Sequence, residues 1–338
     1  MTFARVVAVL SGGGAKATAH VGALKALEEH GLRPVHYVGT SMGAVVAACY
    51  ACGLGYDEVL QRFSLISRGA VAVPSPGLLL GPLAASLLRR GPLEETLAAL
   101  VPARRFGELE IPLTVTAVDA QNGRLVLFGA GGRVHVPLID ALAASCALPV
   151  YYPAKRIGDR SYVDGGMRAV LPLDVGARFD PDLLFAVHAG PWLLGESAEH
   201  TGPVPPILRA HNTATSILMA QQAEAVVERF REGPVPLVFV RPSVGREATF
   251  HVGAVGEFVA EGYRAGVRAL QSVSITSGRP SSPRAAQRRR SPARRERKAG
   301  GVKKARKGRE GRKGRKGRKG RKGRKGGKGG KTEKQPGD

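Results

Sequence analysis

The stretch RVVAVLSGGGAKA, residues 5–17, restricts the fold more than any other. Arg5–Leu10 is a short apolar run without polar alternation, and it stops at Ser11-Gly12-Gly13-Gly14. Such a run reads as a strand buried on both faces. Val21, Leu24 and Leu27 then recur at helical spacing, and Gly31 sits where a C-cap belongs. The pattern repeats at once. Val35–Val38 reads as a second strand, Gly39-Thr40-Ser41-Met42-Gly43 as a tight turn, and Ala44–Cys52 as a small-residue helix stopped by Gly53. Strand, loop, helix, strand, turn and helix in this order make a right-handed βαβ unit with parallel strands.

The alternation continues. Ile111–Val118, Leu183–Val187 and Val235–Val240 read as strands, and Tyr162–Val163 as a short one leading into Asp164-Gly165-Gly166. Ile139–Ala147, roughly Ile207–Arg231, and Val255–Gln271 read as helices. Arg124–Phe128 and Arg133–Val136 look like a hairpin around a glycine-rich turn. The expected fold is α/β: a three-layer α/β/α sandwich with a mainly parallel central sheet. Between Gly69 and Leu88 the chain is apolar but broken by Pro74, Pro76 and Pro82. It admits two readings, a helix and loop packed on the sheet or an apolar flap over a lipid-accepting site.

Charge divides the chain. The net charge is +24, yet residues 279–338 hold 27 Lys+Arg against 4 Asp+Glu, leaving 24 basic and 23 acidic residues before them. Arg312–Gly326 is five copies of Arg-Lys-Gly. A segment with so little to bury and so much self-repulsion is expected to be disordered. The expected organisation is therefore a folded domain over 1–277 and a basic tail over 278–338. The tail should bind polyanions in a salt-dependent, sequence-blind way, since no aromatic residue interleaves its repeats. An anionic membrane surface is the expected partner and non-specific nucleic acid the alternative.

No apolar stretch reaches the roughly 18 residues of a membrane span. The N-terminal run is too short for a signal-peptide core. Three cysteines, Cys49, Cys52 and Cys146, argue against a disulfide framework and fit a reducing compartment. The expected location is cytoplasmic, with peripheral attachment to the inner membrane face as an option. Cys49 and Cys52 form C-x-x-C in an apolar helix and read as packing residues rather than metal ligands. No clustered ligands or calcium loop stand in the sequence, so neither metal nor cofactor is expected.

Two glycine motifs carry the chemistry. The loop Ser11–Ala17 lies between a strand and a helix, where unpaired backbone N–H groups favour negative charge. As a dinucleotide site it lacks an acid at the end of the second strand, and as a P-loop it lacks Gly-Lys-Ser/Thr. As an oxyanion hole it needs a nucleophile. Gly39-x-Ser41-x-Gly43 has the strand–turn–helix context of a nucleophile elbow, and parallel strands bring both loops to one sheet edge. A serine needs a base. Of the eight histidines, none lies in a loop resembling that of a triad. Asp164, held in a glycine-rich turn, is an acid that can act directly on a serine hydroxyl.

These blocks resemble the bacterial branch of the patatin-like phospholipase family. Gly12-Gly13-Gly14-x-Lys16 resembles its oxyanion loop, Gly39-Thr40-Ser41-Met42-Gly43 its elbow, and Asp164-Gly165-Gly166 its catalytic-aspartate motif. Ala144–Pro149 resembles the segment preceding the last. The resemblance covers about residues 5–240. It implies a metal-free Ser–Asp dyad, Ser41 as nucleophile and Asp164 as base, that hydrolyses lipid acyl esters through an acyl-serine. It also implies an oxyanion hole from the N–H groups of Gly13 and Gly14, with Gly12 as a further candidate. Lys16 takes the family's basic position, either supporting the loop or attracting an anionic headgroup; a solvated cation at a helix start is the competing reading. Two departures bear on activity: Ala17 stands where the family has glycine, and Ala169-Val170 where it often has asparagines. The alternatives are a weak or inactive lipid- or polyanion-binding protein on this fold, and an α/β-hydrolase with a histidine triad. His20 reads as a packed histidine, Asp119 as a structural hydrogen-bonder and Ser145 as a helix residue behind the site.

Overall fold

The computed structural model describes residues 3–66, 72–76, 86–193, 205–244 and 252–272. Most of the apolar stretch 69–88, and the expected basic tail from 278, lie outside the described residues.

Among the described residues, eight strands form one sheet in the order β5-β6-β3-β2-β1-β7-β8, with β4 paired to β3 off this path. The strands are β1 (Val6–Leu10), β2 (Pro34–Thr40), β3 (Leu113–Asp119), β4 (Leu125–Gly129), β5 (Lys155–Ile157), β6 (Arg160–Asp164), β7 (Leu183–Val187) and β8 (Leu237–Val240). β1, β2, β3, β7 and β8 run parallel, whereas β4, β5 and β6 pair antiparallel. Each side chain of β1 is buried, and they alternate between two apolar cores. Val6, Ala8 and Leu10 enter one core, Val7 and Val9 the other. A sheet covered on both faces is what the unbroken apolar run requires.

The larger core packs helices α1 (Ala19–Glu29), α2 (Met42–Ala51), α3 (Tyr56–Ser64), α4 (Arg90–Leu100), α5 (Leu138–Ser145) and α9 (Val255–Gln271) on one face. The smaller core packs α7 (Leu173–Gly176) and α8 (Pro206–Arg231) on the other, and the one-turn α6 (Gly166–Ala169) follows β6. The three layers and the mainly parallel sheet agree with the expected fold. The expected hairpin needs correction. Arg133–Val136 forms no strand; Phe128 and Arg133 meet only in an isolated bridge. Residues 125–129 instead fold back on β3 around Gly123, at φ +68°. β3, buried along its length, offers a ladder from Thr114 to Val118, whereas residues 133–135 are exposed.

Candidate active site

Sheet register brings the two motifs together. Leu10 pairs with Gly39, so the glycine loop after β1 and the turn after β2 leave the sheet at one level. Thr40 pairs with Thr116 and Ala117 with Asp164, so Ser41 and Asp164 flank β3 at nearly the same height. Ala117, the β3 residue paired with Asp164, has the smallest side chain after glycine. Ser41 Oγ donates a hydrogen bond to Asp164 Oδ2 at 2.7 Å.

Ser41 itself is strained. It caps α2 with φ 53° and ψ −133°, a backbone conformation that costs a non-glycine residue on the order of 1–3 kcal/mol. The surroundings hold it there. Its N–H donates to Ser145 Oγ at 2.7 Å. Gly43 allows α2 to approach the end of β1 so closely that a Cβ would overlap the carbonyls of Leu10 and Ser11. Gly39 packs on Ala44 in the same manner.

Asp164 is 4% exposed. Burial pushes its carboxyl up to about 6, against the pull of hydrogen bonds from the Gly166 N–H and the Ser41 hydroxyl. The Gly166 N–H reaches Asp164 Oδ1 at 2.7 Å, so each carboxylate oxygen has one defined partner. Gly165 lies against Thr116, leaving no room for a side chain. Thr40 Oγ1 donates to the Ala169 carbonyl at 2.8 Å and therefore accepts from Thr116 Oγ1 at 2.7 Å. This threonine pair ties the elbow, β3 and the aspartate turn into one unit.

The glycine loop faces the same place. Gly14 has φ +58°, a conformation open to glycine at little cost. The Gly12 N–H donates to the Val170 carbonyl at 3.0 Å. It is thus engaged in the fold, unlike the N–H groups of Gly13 and Gly14, which find no acceptor among the described residues. Ala17 lies inside the 3₁₀ turn Gly14–Thr18 and has no positive φ, so alanine there is unstrained. Ala169 and Val170 brace the site with main-chain carbonyls, and the Val170 side chain is buried in the smaller core. Lys16 is only 4% exposed, which overturns the reading of a solvated cation.

A cleft of about 720 Å³, mouth included, opens over Ser41, Asp164 and Gly14. Leu93, Leu97 and Leu100 of α4, with Met42, Leu148 and Tyr152, make most of its wall apolar. Cys146 also lines it. Burial, and then the Asp164 charge, raise the thiol's pKa, which keeps it protonated and a poor competing nucleophile.

Among the described residues no histidine is hydrogen-bonded to Ser41. His20 Nε2 donates to the Ser11 carbonyl at 2.9 Å and His188 Nε2 to the Pro191 carbonyl at 3.0 Å. His20 thus braces the start of the glycine loop, and His188 the turn after β7. Asp119 pairs with Arg160 at 2.7 Å and caps the β3–β4 turn through the Gln121 N–H, a structural role. Among the described residues no group of three metal-ligating side chains occurs, and no helix is long and apolar enough to cross a membrane. Ser145 lies in a helix behind the site, as expected, but its hydrogen bond to the Ser41 N–H had no signal in sequence, because a serine near the end of an apolar helix has many roles. Sequence reasoning missed the wall helix α4, although leucines at 93, 97 and 100 stand at helical spacing.

Fold and site together define a class: α/β proteins in which a serine on a strand–helix elbow faces a glycine loop and an aspartate. The chain belongs to the patatin-like phospholipase family, whose sequence profile matches residues 8–176. Members of this family are generally serine lipid hydrolases. An uncharacterized NTE family protein of Mycobacterium tuberculosis is 33% identical over 183 residues, 54% of this chain and 48% of that protein. Human omega-hydroxyceramide transacylase is 32% identical over 160 residues, 45% of this chain and 28% of that protein. The crystal structure of VipD from Legionella pneumophila covers 79% of this chain and 67% of its own, at 16% identity and TM-score 0.43. The chain spans about half the length of the mycobacterial relative and less of the human one.

Proposed function

We propose that this protein is a lipid acyl-ester hydrolase of the phospholipase A or lysophospholipase type, working through a Ser41–Asp164 dyad. The observation that carries the reading is the 2.7 Å hydrogen bond from Ser41 Oγ to a buried Asp164 carboxylate at the floor of an apolar cleft. The ester's acyl chain lies along the α4 leucines. Asp164 takes the Ser41 proton as Oγ attacks the ester carbonyl. The oxyanion of the tetrahedral intermediate rests on the Gly13 and Gly14 N–H groups. Collapse breaks the ester bond, and Asp164 returns the proton to the leaving alcohol. A water, deprotonated by Asp164, then attacks acyl-Ser41; the fatty acid leaves and Asp164 returns the proton to Ser41 Oγ. Gly39, Gly43, Gly165 and Gly166 act by close packing, and Lys16 supports the loop from beneath. The basic segment 279–338 recruits the enzyme to anionic membrane surfaces.

The test measures ester hydrolysis by the wild type, Ser41→Ala, Asp164→Asn and single histidine-to-alanine variants. Loss with Ser41→Ala and with Asp164→Asn is expected. Activity surviving Ser41→Ala rejects the mechanism. Activity lost with one histidine but kept with Asp164→Asn points to a triad instead. A wild type inactive on all esters favours a binding protein on the same fold.

A further inference from the structure

The catalytic cleft has a neighbour beside α4. A second groove runs between α3 and α4 and shares Ile66, Thr96 and Leu100 with the catalytic cleft. Leu65 and Ala99 add apolar surface on its two sides. Leu65 is 79% exposed, a large apolar side chain left in water at the groove's edge. The groove's polar lining is Gln61 and Arg62, with Thr96 at the junction. Arg62 Nη1 donates to the carbonyls of Ala99 at 3.0 Å and Leu100 at 3.3 Å, closing the C-terminal turn of α4. The guanidinium is thus held at the helix end while its methylene stem lines the groove. Thr96, at the junction, uses its hydroxyl on the Pro92 carbonyl at 2.9 Å. From Leu93 to Leu100 the α4 wall extends about 10 Å along the helix axis. It passes from the cleft, lined by Leu93 and Leu97, to the groove, lined by Ala99.

We infer that the α3–α4 groove is a subsite for the distal methylenes of the acyl chain whose carbonyl sits at Ser41. It would give the enzyme a preference for long acyl chains. The argument is adjacency: Ile66, Thr96 and Leu100 line both depressions, so a chain following the α4 leucines away from Ser41 meets the groove at these residues. The inference rests on the hydrolase reading above.

The experiment compares p-nitrophenyl butyrate with p-nitrophenyl palmitate as substrates of the full-length protein. Ala99→Trp fills the groove without touching the cleft, and Leu65→Asp makes its edge polar. Both positions are exposed, and thermal melts verify folding. The expected result is unchanged kcat/KM on butyrate. On palmitate it falls about tenfold or more, the loss when about two methylenes stay in water. An unchanged palmitate-to-butyrate ratio in both variants overturns the subsite. A wild type showing no gain from butyrate to palmitate does the same and leaves the hydrolase reading standing. Variants impaired on diacyl phospholipid but not on palmitate assign the groove to the other acyl chain and overturn the inference as stated. A wild type inactive on every ester removes the hydrolase reading, and the subsite with it.

Discussion

At the scale of single residues, the site turns on one buried acid. Burial raises the Asp164 carboxyl to about 6, so its base form is available at neutral pH and lost below it. The kcat/KM for ester hydrolysis should therefore fall about tenfold per pH unit below about 6. A profile flat down to pH 4.5 would exclude Asp164 as the base. The same shift bears on stability. The folded pKa lies above the ordinary value of 3.8, so folding favours the protonated acid. That contribution is full below about pH 4 and gone above about 6. At pH 7 the ionised form costs up to about 3 kcal/mol. Asp164→Asn should thus raise the melting temperature at pH 7 while abolishing hydrolysis, and the gain should vanish near pH 4. A lower melting temperature at pH 7 would refute this account. Ser145 gives a second case. Ser145→Ala leaves the Ser41 N–H without its acceptor, a loss of about 1–3 kcal/mol. We expect kcat to fall with little change in KM, because the elbow loosens while the apolar cleft stays intact.

At the scale of elements, close approach decides the geometry. Gly43→Ala would force α2 off the end of β1, since the new Cβ meets the Leu10 and Ser11 carbonyls. The expected cost is about 1–3 kcal/mol by urea unfolding, with hydrolysis lost because Ser41 and the glycine loop separate. Full activity in that variant would show that the contact is dispensable. The first βαβ unit was legible because each of its segments obeys one rule: an unbroken apolar run, a glycine stop or a helical repeat. The helices α3 and α4 were harder to read. Gly91-Pro92 looks like a turn, yet proline is tolerated in the first turn of a helix, where its missing N–H costs nothing. The Gly55 N–H is capped by Glu58 at 3.1 Å, a local signal that marks the start of α3. The Arg133–Val136 pairing failed because strand choice depends on which ladder is at hand, and β3 was the better partner.

At the scale of the whole molecule, acid should be destabilising. His20, His36 and His188 are buried, which lowers their pKa values to about 4, about 4 and about 3. His36 lies stacked on Phe179 at 3.7 Å with its Nε2 against Thr114. Each folded pKa lies below the ordinary 6.5, so the stability these rings contribute is present above about pH 6.5 and drains away towards pH 4. Asp164 acts in the opposite sense but is one group against three. Circular-dichroism melts should show the melting temperature dropping across that window, and a constant value from pH 7 to 4.5 would contradict it. Deletion of 279–338 should abolish co-sedimentation with anionic vesicles at low salt and leave p-nitrophenyl butyrate hydrolysis unchanged. If only binding to DNA is lost, the basic segment serves nucleic acid rather than a membrane.

The amino-acid sequence by itself determined the α/β class, the layer order and the two loops at one sheet edge, because these follow from local periodicity and glycine placement. Its motifs also singled out Ser41 and Asp164. Only the tertiary structure decided how those residues are held. Sheet register across β3 sets the Ser41–Asp164 distance, and Ser145, Thr40 and the carbonyls of Ala169 and Val170 come from segments far apart in the chain. Main-chain acceptors leave no mark in side-chain identity. The departures at Ala17, Ala169 and Val170 looked consequential in sequence, while in space Ala17 lies in a helical turn, Ala169 and Val170 supply carbonyls, and the Val170 side chain packs in the smaller core.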